Sequence, residues 1–240
     1  MESSNWQERT IQLIGNEGVD KLAQSHVLVC GLGGVGSYAV EQLARAGVGS
    51  LTIIDGDTIH ASNRNRQLPA LMSTNDDFKA VVVADRIMDI NPEIKLTIIQ
   101  EYIKDQRIVD ILQHPYDYVV DAIDTLAPKV YLIYNTVKAG IPLVSSMGSG
   151  GKLDPSQIRV SDINDTYNCK LAYYMRKRLH KLGIWNGFKA VYSPEVVSRK
   201  AVAPLEGELN KKSTVGTISY MPAMFGCYCA SVVISDLLNS

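Results

Sequence analysis

The chain has 240 residues, a formal net charge of −1 at pH 7 and a hydrophobic share of 46%. This length and composition suffice for a globular domain with a large buried core, and they exclude a disordered chain. We therefore predict a single domain over 1–240, with a nucleotide-binding core over 26–150 and a substrate and crossover part over 151–240.

Strand-like and helical patterns alternate along the first 150 positions. An amphipathic helical pattern covers 5–24, and apolar runs typical of strands follow at 26–30, 51–54, 96–100, 117–120 and 141–145. Helical patterns lie between and after them at 34–46, 79–90, 105–113 and 128–139. This alternation predicts an α/β, Rossmann-like fold with a mostly parallel sheet and helices on both faces. Ligands bind such sheets at the carboxyl ends of the strands.

A glycine-rich turn follows the first predicted strand. Gly31, Gly33 and Gly36 have the G-x-G-x-x-G spacing and stand directly before a helical pattern. Asp55 ends the second predicted strand nineteen residues after Gly36, where a carboxylate can accept hydrogen bonds from ribose hydroxyls. The N–H groups and positive dipole end of the following helix favour phosphate. The turn predicts a nucleotide site, and its spacing alone fits NAD as well as ATP.

Basic side chains follow the second predicted strand. Asp57 precedes a polar run that consists of Ser62, Asn63, Arg64, Asn65 and Arg66, and Lys79 opens the next helical pattern. An arginine can clamp phosphate oxygens bidentately, and a lysine can act there as a point charge. Cations near a nucleotide site suit attack at phosphorus better than simple dinucleotide binding. Each base taken alone is more typical of a solvated loop or helix.

Two carboxylates end the fourth predicted strand. Asp121 and Asp124 follow its apolar residues at the edge expected to bind the ligand. Mg²⁺ prefers one or two carboxylates together with substrate phosphates. The alternative is that one of the two caps the helix that begins near Pro128. Both roles can be filled, one by each residue.

The later part of the chain is basic. Between 170 and 212 it has ten basic and three acidic residues, and 166–182 has the pattern of a basic helix. An anionic partner such as nucleic acid fits this excess, and a solvated helix face or a protein-binding surface fits it as well. The positions 185–217 are predicted to form a long irregular connection. The uncharged stretch 213–235 is predicted to be a buried strand, turn and helix rather than a membrane span, because glycine, proline and hydroxyl residues dilute it.

Cysteine and histidine positions indicate no metal site. The four cysteines make no C-x-x-C pair and the four histidines show no ligand spacing, so no structural zinc is expected. The polar opening of the chain does not have the pattern of a secretory signal, and a reducing cytoplasm is the expected compartment.

Several motifs together resemble the ubiquitin-activating enzyme superfamily, whose ThiF-, MoeB- and HesA-like members adenylate carboxylates with ATP. The motifs are GLGGVG at 31–36, D-x-D at 55–57, N-R-N-R-Q at 63–67, Lys79 and D-A-I-D at 121–124. Within the superfamily the chain is similar to the tRNA threonylcarbamoyladenosine dehydratases. That similarity rests on ERTIQLIG at 8–15, INPE at 90–93, SSMGSGGKLDP at 145–155, the V-x-D-I-x-x-T pattern at 160–166 and CKLAYYMRKRL at 169–179.

The resemblance implies ATP-dependent ring closure on threonylcarbamoyladenosine in tRNA through a carboxyl adenylate. It implies that Gly34 approaches the phosphates, that Asp55 binds the ribose, that Ser62 to Arg66 surround the triphosphate and that Asp124 holds Mg²⁺. Arg66 and Lys79 would stabilise the α-phosphate and the leaving pyrophosphate. A homodimer in which Arg9 reaches the partner subunit's ATP site is implied as well, although such an arginine is more often simply solvated.

Further expectations concern tRNA and cysteine. Residues proposed to contact tRNA are Lys170, Arg176, Lys177, Arg178 and Lys181. A sulfur-transfer protein is a further expected partner, and no membrane partner is expected. Cys169 stands where protein-activating relatives have a thioester cysteine, but ring closure needs no enzyme nucleophile, so a buried, inert thiol is expected.

The chain departs from the family pattern at two positions. Asp76 stands three residues before Lys79, where the family usually has glycine, and Thr125 follows Asp124 where many relatives have asparagine. The extra carboxylate of Asp76 either weakens ATP binding or points to solvent.

Two other functions stay open on the sequence. One is the adenylation of a small ubiquitin-like sulfur-carrier protein, although relatives with that activity commonly carry two C-x-x-C zinc pairs. The other is a non-catalytic NAD-binding regulator, which would not need Arg66, Lys79 and Asp124 together.

Overall fold

The computed structural model describes residues 6–204 and 213–240. Nine strands occur in these ranges: β1 His26–Cys30, β2 Ser50–Ile54, β3 Lys95–Ile99, β4 Tyr118–Asp121, β5 Leu143–Ser146, β6 Arg159–Asp162, β7 Lys189–Tyr192, β8 Val202–Pro204 and β9 Ser213–Val215. The first seven form one sheet in the order β3-β2-β1-β4-β5-β7-β6, and β8 pairs with β9. All neighbours in the large sheet are parallel except β6, which runs antiparallel to β7.

Seven α-helices accompany the strands. They are α1 Glu8–Gln24, α2 Gly36–Ala46, α3 Lys79–Ile90, α4 Gln106–Ile111, α5 Leu126–Lys138, α6 Lys170–Lys181 and α7 Tyr220–Asn239. A left-handed Gly15, with φ of 73°, kinks α1. Two apolar cores result, one formed with residues of α2, α3 and α7 and the other with residues of α4, α5 and α6. The α/β, Rossmann-like fold with a mostly parallel sheet between helical layers is therefore confirmed.

The central strands bring the carboxyl-end loops together. β1, β2 and β4 are apolar runs that are almost entirely buried, as expected for parallel strands covered on both faces. β1 lies between β2 and β4. The loops that follow these three strands, with the glycine turn, Asp55 and Asp124, therefore meet at one edge of the sheet.

The prediction of a long irregular connection over 185–217 is wrong at its start. Lys189–Tyr192 forms β7, which lies between β5 and β6 inside the sheet. A four-residue strand is too short to show a clear period in sequence. The segment forms a strand because it pairs in parallel with β5, and this pairing cannot be read from the local sequence. Later in that stretch β8, a further strand that the prediction missed, pairs with β9 in antiparallel orientation.

The apolar stretch near the carboxyl end is a strand, a turn and a helix, as the sequence predicts. β9 covers Ser213–Val215 and α7 begins at Tyr220. By length and composition α7 is the one helix among the described residues that could cross a membrane, and half of its apolar stretch is buried within the protein. Met221, Phe225 and Cys229 of α7 are fully buried in the core that includes Ala39 and Leu43 of α2.

Candidate active site

The turn between β1 and α2 can be built only from glycine at two positions. Gly31 has a φ of +89°, and a Cβ atom on Gly36 would lie 1.7 Å from the Gly31 carbonyl oxygen. Gly34 is tightly packed as well, because its Cβ would lie 2.9 Å from Pro222 of α7. A Cβ on Gly33 would meet nothing nearer than 3.7 Å. A Cβ atom therefore has room at Gly33 but not at Gly34, and the approach of Gly34 to the phosphates stays a prediction.

Asp55 fastens the glycine turn to the loop after β2. Its Oδ2 atom accepts a hydrogen bond from the Leu32 N–H at 2.6 Å, and its Oδ1 atom accepts one from the Asp57 N–H at 2.8 Å. Burial raises the pKa of the Asp55 carboxyl, while the Lys79 ammonium and the two N–H donors act in the opposite direction. Each carboxylate oxygen keeps a second lone pair. The carboxylate is thus fixed in place and can still accept ribose hydroxyls.

Lys79 lies buried at the start of α3. Its Nζ atom is 2.7 Å from Oδ2 of Asp57, and the side chain is 5% exposed. The Tyr102 hydroxyl donates to the other oxygen of Asp57, and this bond raises the pKa of Tyr102 to about 12. The pairing with Asp57 holds the buried Lys79 side chain in one position. Lys79 is therefore a fixed positive charge beside Asp55, as a phosphate site requires.

The polar run after β2 separates into residues that face the glycine turn and residues that do not. Arg66 lies beside Gly34, and its Nη1 atom donates to the Ser62 carbonyl and to Oδ1 of Asn65. Asn65 in turn donates to the Thr217 carbonyl at 3.0 Å. Arg64, in contrast, is exposed, and its Nε atom contacts only the Ala61 carbonyl at 3.4 Å within the described residues.

Asn63 holds the beginning of this run. The side chain is buried, and its Oδ1 atom accepts a hydrogen bond from the His60 N–H at 3.1 Å. Asn63 therefore fixes the loop itself, whereas Ser62 is exposed. Of the two arginines in this run, Arg66 is the one whose backbone oxygen and Cγ atom lie beside the glycine turn.

Gln67 is a site residue for which the sequence prediction made no assignment. The side chain is buried, and its Nε2 atom lies closest to the Cβ position of Gly33. Its Oε1 atom is buried and has no hydrogen-bond partner in the described part of the chain. A buried acceptor without a donor costs free energy, about 1–3 kcal/mol, that a ligand donor recovers. The sequence signal that could have indicated Gln67 is its position directly after the polar run that ends at Arg66.

Asp121 has a structural role that differs from both predicted ones. Its carboxylate pairs with Nζ of Lys129 at 2.7 Å, and both side chains are 0% exposed. Ser145 donates to the same carboxylate at 2.6 Å, and Lys129 donates to the Ile123 carbonyl at 3.1 Å. The pair therefore ties β4, β5 and α5 together beneath the loop that carries Asp124. Asp121 accepts from the Ile123 N–H, from Ser145 and from Lys129 rather than from the first turn of α5, so the capping interpretation is wrong for Asp121.

Asp124 and the residues that depart from the family pattern lie at the surface. The Asp124 side chain is exposed two residues before α5. Asp76 is exposed too and accepts a hydrogen bond from Asn75. Its backbone has a φ of +71°, a left-handed conformation that glycine adopts most easily. The usual glycine at this position therefore allows the left-handed backbone conformation.

Arg9 and Cys169 occupy very different surroundings. The Arg9 side chain is exposed on α1, a helix that packs against α7. Cys169 is 6% exposed in the second apolar core. The prediction of a buried Cys169 is confirmed. No group of three or more potential metal-binding His, Cys, Asp or Glu side chains occurs within 6–204 and 213–240.

The basic residues of α6 fall into two groups. Lys170, Lys177, Arg178 and Lys181 are exposed. Arg176 is half-buried, and its Nη1 atom donates to the Thr166 carbonyl at 2.8 Å. Four charged residues of the stretch 170–212 lie outside the described residues: Glu206, Glu208, Lys211 and Lys212.

Comparison with known proteins gives matches along nearly the whole chain. The model of the ThiF family matches residues 7–240. The tRNA threonylcarbamoyladenosine dehydratase of Bacillus subtilis is 37% identical, with 94% of this chain and 92% of that protein covered. The protein of the same name from Escherichia coli is 35% identical over 98% of this chain and 96% of its own length.

A solved structure matches the whole chain. The crystal structure of E. coli tRNA N6-threonylcarbamoyladenosine dehydratase, TcdA, in complex with ATP superimposes with a TM-score of 0.89 at 33% identity. The match covers 100% of this chain and 97% of that one.

Proposed function

The chain belongs to the ThiF family, and from that membership we propose that it catalyses the ATP-dependent dehydration of N6-threonylcarbamoyladenosine in tRNA. The observation that carries the proposal is the full-length likeness to proteins of that name, at 35% and 37% identity. The site supports the ATP-dependent step, because Asp55, Lys79 and Arg66 gather around the glycine turn.

The first step is adenylation of the threonyl carboxylate. A carboxylate oxygen attacks the α-phosphorus, the bond to the pyrophosphate oxygen breaks, and a mixed anhydride with AMP forms. Negative charge develops on the departing pyrophosphate. Lys79 and Arg66 stabilise that charge, and fixed donors of this kind need no reorganisation during the reaction. Asp55 orients the nucleotide through its ribose.

Ring closure follows within the same side chain. A nucleophile of the threonylcarbamoyl group attacks the activated carbonyl carbon and loses its proton to solvent. The bond to AMP breaks with the former carboxylate oxygen leaving on AMP, so the nucleoside has lost the atoms of one water. Because the nucleophile is tethered to the electrophile, the step gains the high effective concentration of an intramolecular reaction. No enzyme nucleophile is needed, which agrees with the burial of Cys169.

Mg²⁺ fits the site as a companion of ATP. A magnesium ion that arrives with phosphates needs only one or two protein carboxylates, and Asp124 offers an exposed one beyond β4. The ion would neutralise charge on the phosphate oxygens. Asp124 would hold it together with the triphosphate.

We further propose a cytoplasmic homodimer. In it, the exposed Arg9 on α1 of each protomer completes the ATP site of the other. A sulfur-transfer protein as an additional partner is supported by the resemblance alone.

The two other functions have less support. Activation of a sulfur-carrier protein shares the adenylation site, but the chain lacks the C-x-x-C pairs common in such relatives. A non-catalytic NAD-binding regulator would not need the buried Lys79, nor Arg66 beside the glycine turn.

Mass spectrometry of nucleosides tests the proposal. The protein is incubated with Mg-ATP and tRNA that carries the modified adenosine, and the nucleosides are then released. We expect a product that has lost one water, with AMP and pyrophosphate formed in equal amounts. A folded protein that binds ATP and leaves the nucleoside mass unchanged would contradict the proposed function.

Two alanine variants test the assignment of the cations. Arg66→Ala and Lys79→Ala are expected to slow tRNA-dependent pyrophosphate release by about 10²- to 10³-fold each, the cost of removing one charge-stabilising group. Lys138→Ala, on the exposed end of α5, is the control and should retain full activity. Pyrophosphate release that survives both changes would show that the assignment is wrong.

A further inference from the structure

We propose that the exposed face of α6 binds an unpaired loop of the RNA substrate, with bases stacked on tyrosine rings and phosphates on lysine and arginine. The proposal rests on the proposed function in one respect, because it takes tRNA as the substrate. An enzyme that acts on a base must reach it outside the helical stack. A surface for unstacked bases is therefore required near the active site.

One face of α6 carries both basic and aromatic side chains. At positions i, i+3, i+4, i+7, i+8 and i+11 the helix carries Lys170, Tyr173, Tyr174, Lys177, Arg178 and Lys181, and all six are exposed. This spacing places them in one stripe along a helix about 18 Å long. We call these six residues the α6 stripe. The opposite face, with Ala172, Met175 and Leu179, is buried in the second core.

The basic side chains of the α6 stripe have no acidic partner among residues 6–204 and 213–240. None of its four basic side chains forms a salt bridge in the described part of the chain, and α6 itself contains no acidic residue. Arg176, the remaining arginine of the helix besides Arg178, points instead to the Thr166 carbonyl. The four free cations therefore complement a polyanion.

Aromatic rings between the cations distinguish an RNA loop from an acidic protein. The side chains of Tyr173 and Tyr174 are 53% and 42% exposed, and their ring centroids are 5.5 Å apart. Trp185 is 59% exposed and stacks on His180 just beyond the helix. Exposed aromatic faces lose contact with water when bases stack on them, whereas acidic side chains gain nothing from them.

The α6 stripe begins close to the active-site edge of the sheet. Leu171, its neighbour in sequence, lies 3.9 Å from the Cβ position of Gly148, which follows the carboxyl end of β5. β5 is separated from β1 by β4 alone. At a strand spacing of about 4.8 Å, β5 is about 10 Å from the strand that leads into the glycine turn. An RNA loop on the stripe would therefore place one flipped base at the ATP site.

Equilibrium binding of tRNA without ATP tests the surface. In the double variant Tyr173→Ala/Tyr174→Ala we expect affinity to fall by about 5- to 150-fold for each base that loses its ring, the range for loss of base stacking. Tyr173→Phe/Tyr174→Phe keeps the rings and should bind like the wild type. Lys177→Ala/Arg178→Ala should reduce the slope of log binding constant against log salt concentration by about 1.4 in magnitude. This is the value expected for the loss of two contacts with single-strand phosphates. Lys95→Ala/Lys138→Ala removes the same charge elsewhere and should leave this slope unchanged.

The outcomes separate this proposal from the proposed function. If stripe variants bind and dehydrate tRNA like the wild type, the surface is wrong and the reaction stands. Equal losses in the Lys177/Arg178 and Lys95/Lys138 variants would overturn the proposal in favour of net charge alone. Polyglutamate that displaces tRNA as effectively as a single-stranded RNA oligomer does would overturn it in favour of an acidic protein partner. ATP binding measured alone should be the same in all variants, which checks that each is folded.

Discussion

Lys129→Met should destabilise the protein strongly although Lys129 contacts no substrate. Lys129 and Asp121 are both 0% exposed, and the variant leaves the Asp121 carboxylate buried without its counter-ion. Removal of one partner of a buried ion pair costs about 3–5 kcal/mol. The Ile123 carbonyl loses its donor as well. For a domain of this size, about 2–4 °C per kcal/mol gives a fall in Tm of about 6–20 °C.

The double variant Lys129→Met/Asp121→Asn separates the pair from its parts. Both charges are removed, and the amide of the new residue can keep both neighbours: its oxygen accepts from the Ile123 N–H, and its NH2 group, in the place of Oδ2, donates to the Ser145 hydroxyl oxygen. Replacement of both members of a buried pair is often close to neutral, so we expect a free energy of unfolding within about 2 kcal/mol of the wild type. The double variant should then be more stable than Lys129→Met alone.

Denaturant unfolding with a thermal scan measures both variants. Lys104→Met, at an exposed position before α4, is the control, and it should change the free energy of unfolding by less than about 0.5 kcal/mol. A loss below about 1 kcal/mol in Lys129→Met, or a double variant less stable than the single one, would refute the reasoning. Either result would mean that the carboxylate is not held by the ammonium.

Three further predictions concern the glycine turn, the loop before α3 and the surface of α2. Gly36→Ala should prevent stable folding because its Cβ would lie 1.7 Å from a carbonyl oxygen. Gly33→Ala, whose Cβ has no neighbour nearer than 3.7 Å, should keep the wild-type Tm and weaken ATP binding measured by calorimetry. Equal Tm values in the two variants would contradict this. Asp76→Gly should raise stability by up to about 1 kcal/mol because the backbone there has a φ of +71°, and a lowered denaturant midpoint would be the contrary result. Burial of Glu41 favours its neutral form, but hydrogen bonds from Arg86 and a second arginine outweigh that effect and lower its pKa. This pair therefore stabilises the fold above the ordinary glutamate pKa of about 4.3, and the stabilisation is lost as pH falls through the lowered folded value. Glu41→Gln should thus cost about 1 kcal/mol at pH 7 and nearly nothing well below pH 4, and a difference independent of pH would refute the ion-pair explanation.

Local signals made most of the fold predictable. β1 and the glycine turn are adjacent in sequence, and their pattern of apolar residues and glycines has no common alternative. β7 was missed because its strand state depends on a neighbouring strand more than forty residues earlier in the chain. A short segment carries no record of such a partner.

The site residues divide in the same way. Asp55 and Lys79 could be predicted because their position after a strand or at a helix start fixes where they lie. Lys129 could not, since a lysine in a helix is usually exposed and its burial depends on Asp121 from a different element. The helical period could have predicted that Arg176 and Arg178 lie on different faces of α6, because residues two positions apart on a helix point to different sides.

The fate of the carboxylate oxygen tests the central claim most directly. The tRNA substrate is prepared with heavy oxygen in the threonyl carboxylate and is turned over with unlabelled ATP in unlabelled water. If the carboxylate attacks the α-phosphorus, one heavy oxygen atom must appear in AMP, and the pyrophosphate must be unlabelled. A dehydrated nucleoside formed with unlabelled AMP, or with ADP in place of AMP, would contradict the carboxyl adenylate.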